Sequence, residues 1–120
     1  NSKFMKSFTE ETVLCGLIVY EKKDDGCLNG TWTNNMNKGE IRNEIAKQKY
    51  NSNNDGFDGN FITTWIDEGE EVVQGTLNIK EDANKIYTLL WKDGKGNVMY
   101  EGSGFKFGNL LVATYWEEKK

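Results

Sequence analysis

The sequence predicts an all-β protein, an eight-stranded antiparallel up-and-down (meander) barrel. Three observations predict it. The stretch from Lys85 to Glu117 holds three runs of β-branched, aromatic and long apolar residues, parted by two turn-forming breaks, KDGKGN and FGN. Such runs around Gly/Asn/Asp breaks are antiparallel strands joined by hairpins. The rest of the chain repeats this pattern in short segments with short connections. Finally, the chain has 13 glycines and no proline, so nothing interrupts a ladder while many positions let a sheet coil tightly.

Taken in order, Asn1 to Glu11 is polar apart from Phe4, Met5 and Phe8 and is expected to form an N-terminal arm, with residues 12–120 as a single barrel domain. Thr12 to Tyr20 (TVLCGLIVY) is apolar on both faces, as a strand covered on both sides would be. EKKDDG is a charged turn. Leu28 to Asn34 (LNGTWTN) sets Trp32 on one face and Thr31 and Thr33 on the other. Glu40 to Lys49 (EIRNEIAKQK) allows two assignments. As a strand it gathers Ile41, Asn43 and Ile45 on one face; as a helix it pairs Ile41 with Ile45. One apolar pair is a poor helical stripe and the neighbours are strands, so the strand is preferred. A polar loop through Asn53, Asn54 and Asp55 follows.

Phe57 to Asp67 alternates, with Phe57, Gly59, Phe61, Thr63 and Trp65 on one face. Val72 to Lys80 alternates as cleanly, with Val73, Gly75, Leu77 and Ile79 inward. The last three strands each bring a large aromatic: Trp91, Tyr100 and Trp116. Closing such a meander on itself removes the exposed strand edges that a flat sheet would leave.

Composition limits the function. Net charge is −4 and Arg42 is the only arginine, which argues against a nucleic acid or an anionic membrane surface as partner. No apolar run approaches the ~18 residues of a membrane-spanning helix, so no membrane insertion is expected. Histidine is absent, which removes Ser-His and Cys-His dyads and His-based metal sites. The acidic turns lack the D-x-[DN]-x-[DN]-G calcium pattern, and no cofactor is called for. Candidate acid–base carboxylates (Asp58, Asp67, Glu101, Glu117) are spaced no differently from a hydrophilic outer face. The reading therefore leans away from an enzyme. A chain opening on Asn1 rather than Met leaves export open, although no signal peptide is visible. Taking Asp25-Gly26 as a two-residue turn sets Cys15 opposite Met36, far along the ladder from Cys27. Free thiols are preferred, with Cys15 as a small buried hydrophobe, while an irregular turn would leave a disulfide between the two cysteines open.

Several segments then resemble, in order, the avidin–streptavidin family. GTWTN is similar to that family's opening, and its Gly-x-Trp entry marks the wider calycin group of barrels. GFDGNFITTW resembles the Gly-x-Tyr-x-Thr strand, with Phe61 at the Tyr and Thr63 at the Thr. YTLLWKDGKGNVMYEG resembles the pair in which a Trp is followed by aromatic-x-Gly, which puts Trp91 and Tyr100 on the aromatic positions. VATYW resembles the strand with a further ligand-stacking Trp, at Trp116. The resemblance implies a calycin-like barrel, a ligand in its interior, and Asn34 hydrogen-bonded to the ligand's polar head. It also implies that Arg42 can stack on Trp32, although a solvated surface position is the preferred reading of that residue. The chain departs from the family at the loop after Asn34, which has no Ser, and at Phe61, which has no hydroxyl. The family's last strand has no counterpart, and Thr12 to Tyr20 would close the barrel instead. The resemblance therefore bears on architecture rather than on biotin.

An eight-stranded barrel is wide enough either to fill itself with side chains or to hold one small molecule. The leading expectation is a non-enzymatic barrel that binds a small hydrophobic or aromatic ligand. Its candidate ligand residues are Asn34, Thr63, Trp65, Trp91, Tyr100 and Trp116, with Trp32 packing the closed end. The alternative is a filled barrel that acts through its outer face, where Tyr87, Phe105 and Tyr115 are expected; a homo-oligomer belongs to that reading.

Overall fold

The computed structural model describes residues 13–37, 39–48, 56–67 and 69–118. The expected arm at residues 1–11 and the loop through Asn53, Asn54 and Asp55 lie outside them. The described residues form eight strands and no helix: β1 (Cys15–Lys22), β2 (Leu28–Asn34), β3 (Arg42–Gln48), β4 (Gly59–Ile66), β5 (Val72–Glu81), β6 (Tyr87–Lys92), β7 (Val98–Phe107) and β8 (Leu110–Glu117). Each pairs antiparallel with its sequence neighbours, and β1 pairs with β8 from Cys15–Trp116 to Glu21–Leu110, which closes the barrel. Every strand thus has a partner on both sides, and no open edge remains.

Four hairpins use one loop design. In each, the first residue's N–H donates to the carbonyl of the residue four on, and the residue three on donates back to the first residue's carbonyl. The pairs are Lys23/Cys27, Asp67/Glu71, Asp82/Ile86 and Asp93/Asn97. The fourth position is left-handed each time: Gly26, Glu70, Lys85 and Gly96. This is the type I turn with a left-handed bulge residue that matches the twist of a three-residue hairpin. An Asp side chain secures each loop. The Asp93 carboxylate, for example, accepts the N–H groups of Lys95 at 2.8 Å and Asn97 at 3.0 Å.

This loop corrects the two-residue turn expected at Asp25-Gly26. The register becomes Lys22–Leu28 through Gly16–Asn34. Gly16, Ile18 and Tyr20 then face inward, while Cys15 and Leu17 face out. Cys15 is exposed rather than a buried hydrophobe, and both cysteines are free thiols.

The segment with two assignments is strand β3, but its faces are the reverse of those its isoleucines suggest. Ile41 and Ile45 are 72 % and 50 % exposed, while Glu44 and Ala46 point into the barrel, Glu44 only 4 % exposed. The neighbours decide this. Glu44 lies opposite Gly30 and Trp65, and Ala46 opposite Leu28 and Thr63, all of them inward positions. One short strand's apolar residues do not outweigh two partners whose inner faces are already set.

The interior has two zones. At the end where β2, β4, β6 and β8 begin, Leu28, Phe61, Leu77, Leu89 and Leu111 fill the section, and Phe57 packs edge-on to Tyr87 at 6.2 Å. That end is solid. Tyr87 and Tyr115, expected on the outer face, are both buried. They share the inner parity of Leu89 and Trp91 in β6, and of Leu111 and Ala113 in β8.

Candidate functional site

At the other end the inner positions carry rings that leave space between them. Trp32 of β2, Trp65 of β4, Trp91 of β6, Tyr100 of β7 and Tyr115 of β8 surround a cavity of about 280 Å³. That is close to the lower bound of roughly 300 Å³ for small-molecule pockets. Tyr100 meets Trp65, Trp91 and Tyr115 edge-on at 6.3, 6.5 and 5.8 Å, and Trp91 meets Tyr115 at 5.8 Å. These contacts favour the rings' quadrupoles and hold Trp91, Tyr100 and Tyr115 each against at least two other rings. Two glycines make room for the wall. A Cβ at Gly30 would come within 2.7 Å of the Tyr20 ring, and one at Gly102 within 3.1 Å of the Trp91 ring.

Glu44 stands in this wall. Its Oε2 accepts hydrogen bonds from Tyr20 Oη at 2.8 Å, from Trp91 Nε1 at 3.2 Å and from Thr63 Oγ1. The three donors come from β1, β6 and β4, and all are neutral. No cation pairs with Glu44 among the described residues, where the ion pairs are Lys23–Glu21 and Arg42–Glu40. Burial pushes the Glu44 carboxyl above the usual carboxylate range, against the three hydrogen bonds, which pull it down. Burial and the facing Glu44 push the Tyr20 hydroxyl well up, and burial pushes Tyr115 up to about 12. Both phenols are protonated donors at neutral pH.

The rim is tied by polar contacts. Asn34 Nδ2 donates to Tyr115 Oη at 3.1 Å, and that hydroxyl donates to the Thr33 carbonyl at 3.2 Å. Asn37 is buried in the β2–β3 turn and donates through Nδ2 to the Glu40 carbonyl at 2.8 Å. Arg42 donates to the Asp67 carbonyl at 3.1 Å and to Glu40 Oε1 at 2.7 Å, strapping the β2–β3 turn to the end of β4. Arg42 and Trp32 are cross-strand partners. The buried Nε of Arg42 and Nε1 of Trp32 find no acceptor among the described residues.

Of the residues read from the sequence, Asn34, Trp65, Trp91 and Tyr100 line the cavity. Thr63 is fully buried beside it and holds Glu44. Trp116 stands on the outer face at 37 % exposure, and its neighbour Tyr115 takes the inner position. Trp32 lines the cavity instead of packing the solid end. Sequence reasoning missed Glu44, Tyr20 and Tyr115. The parity of Leu111 and Ala113 was the available signal for Tyr115; for Glu44 it was the inner face of β2 carried across the hairpin. Among the described residues, no three His, Cys, Asp or Glu side chains come together as a metal-binding group.

The closed meander is compatible with a calycin-like fold. No protein-family model, curated protein or solved structure matches the chain, so the likeness to avidin and streptavidin rests on the short motifs alone.

Proposed function

We propose that the barrel binds a small, mainly apolar or aromatic molecule in its interior, without catalysis. The observation that carries this reading is the unfilled cavity of about 280 Å³ in a barrel whose other end is solidly packed. Side chains that fill one half of an interior and wall the other leave a concave, apolar space with a few polar groups, which is the common form of a ligand site. Trp65, Trp91 and Tyr100 offer ring surface, with Trp32 and Tyr115 beside them, and Asn34 offers an amide at the rim. Thr63 acts behind the wall, and Trp116 takes no part. Tryptophan emission tests the proposal. Titration with small aromatic molecules should quench or shift it and raise the melting temperature. Silence from both signals across a panel of such molecules would sink the reading.

A second reading is favoured by the outer surface. Phe105, Val112 and Val19 form one cross-strand row over β7, β8 and β1, and Phe107 and Leu110 form the next. Both phenylalanines are exposed. A patch of this kind suits self-association. Sedimentation at rising concentration should then give a dimer or higher assembly that the double variant F105S/F107S loses. A monomer at all concentrations would count against it.

A further inference from the structure

We infer that the cavity's ligand is an organic cation, an aromatic or alkyl ammonium, with the Glu44 carboxylate as its counter-charge and the surrounding rings as its cage. This rests on the proposal that the cavity is a ligand site, and it names the class of ligand.

Three observations converge on it. Glu44 is buried in the wall with one oxygen held by three neutral donors and no cation beside it among the described residues. Three hydrogen bonds to a single carboxylate oxygen favour the ionised form, while burial opposes it. The solvation of the carboxylate is thus only partly replaced, and its ionised form lacks a counter-charge among the described residues. A neutral ligand would desolvate it further, an anion would be repelled, and an ammonium would compensate it.

The charge of the lining points the same way. The cavity is lined by two acidic residues, Glu44 and Asp67, and by no Lys or Arg among the described residues. Arg42, the nearest candidate by sequence, is engaged with Glu40 and with backbone carbonyls at the end of β4.

The third observation is the rings themselves. Trp32, Trp65, Trp91 and Tyr100 approach from different strands, and aromatic faces attract cations, tryptophan most strongly. An apolar ligand alone would be served as well by Leu and Ile, which this chain uses at the solid end. Rings around an unpaired carboxylate are the arrangement an ammonium group selects.

Calorimetric titration with three probes of one shape tests this: 2-phenylethylammonium, neutral 2-phenylethanol and anionic 3-phenylpropionate. The ammonium should bind at least about tenfold more tightly than the alcohol, and the propionate most weakly. In E44Q, with a melting temperature showing a folded barrel, the preference for the ammonium should vanish. Equal affinity for ammonium and alcohol, or a preference for the propionate, would overturn the inference and leave the ligand-site proposal standing. Binding of none of the three would overturn both. A folded E44Q that keeps the tenfold preference would also overturn it. The wild-type ratios decide the matter even if E44Q fails to fold.

Discussion

At the scale of single residues, Glu44 is the side chain whose replacement is most informative, because two substitutions should act in opposite directions. Glu44→Gln keeps an acceptor for Tyr20, Thr63 and Trp91 and removes the buried charge. Glu44→Leu removes the acceptor and leaves three buried donors unmade. E44Q should therefore raise stability at neutral pH by on the order of 1 kcal/mol, while E44L should lower it by roughly 3 kcal/mol or more. Urea midpoints measure both. The pH dependence follows with a definite sign. The Glu44 carboxyl is raised in the folded state, so its contribution is fully present below the ordinary carboxylate value and is lost as pH rises through the folded pKa. The titratable groups facing it, Tyr20 on β1 and Tyr115 on β8, are themselves raised and stay protonated over that range. Wild-type stability should fall as pH rises above about 4, and E44Q should flatten that fall. An unchanged slope in E44Q would remove Glu44 as its cause. Much of the ring wall was legible in the sequence, because Trp65, Trp91 and Tyr100 lie in strands with clear alternation. Glu44 was not, because a glutamate in a charged segment reads as solvent-facing until the register of both neighbours is known. Trp116 was misassigned for a related reason. In the run Tyr115-Trp116 two adjacent aromatics point to opposite faces, and only Leu111 and Ala113 say which is which.

At the scale of elements, four hairpins of one design test what the left-handed position costs. Gly96 holds it with a φ of 87° and open space around it, so G96A introduces backbone strain and no clash. Lys85 holds the same position with a φ of 65°. G96A should destabilise by about 1 kcal/mol, and Lys85→Gly should stabilise by up to about that amount, less the entropy that glycine returns to the unfolded chain. Urea unfolding of the two variants and the double variant measures this, and the effects should add because the loops are separate elements. If Lys85→Gly destabilises, then contacts of the Lys85 side chain outweigh its backbone strain. The elements were the most legible level of this protein. Gly/Asn/Asp breaks located the strands, and two strands, Leu28–Asn34 and Val72–Glu81, nearly coincide with their expected bounds. Loop length was less legible, since Asp-Gly suggests a two-residue turn, whereas Lys23 to Cys27 forms the longer one. That single-residue difference turned Cys15 outward.

At the scale of the whole molecule, closure is the property on which the site depends. β1 supplies Tyr20 to the carboxylate and β8 supplies Tyr115 to the wall, and these two strands come from opposite ends of the described chain. The Tyr20–Glu44 contact spans β1 to β3, while Tyr115 reaches β2 through Asn34, so the cavity's geometry is assembled across the seam. A seam between chain ends forms at high loop-closure cost and gives a barrel many non-local contacts, so folding should be slow for its size. Once formed, the seam should be no weaker than the hairpins. Its ladder runs from Cys15–Trp116 to Glu21–Leu110 with inner-face Ile18 and Ala113 buried at its centre. Native-state hydrogen exchange should then show central amides of β1 and β8 protected to the same free energy as those of the β4–β5 hairpin. That would mean opening only by global unfolding. If the seam amides exchange through a cheaper local opening, the protein is a sheet that breathes at β1–β8, and the cavity can admit its ligand through the wall. If they do not, entry and exit must proceed past the rim, where Asn34 and the strap from Arg42 to Asp67 stand, and ligand exchange should then quicken in Arg42→Ala, which cuts that strap while leaving the seam intact.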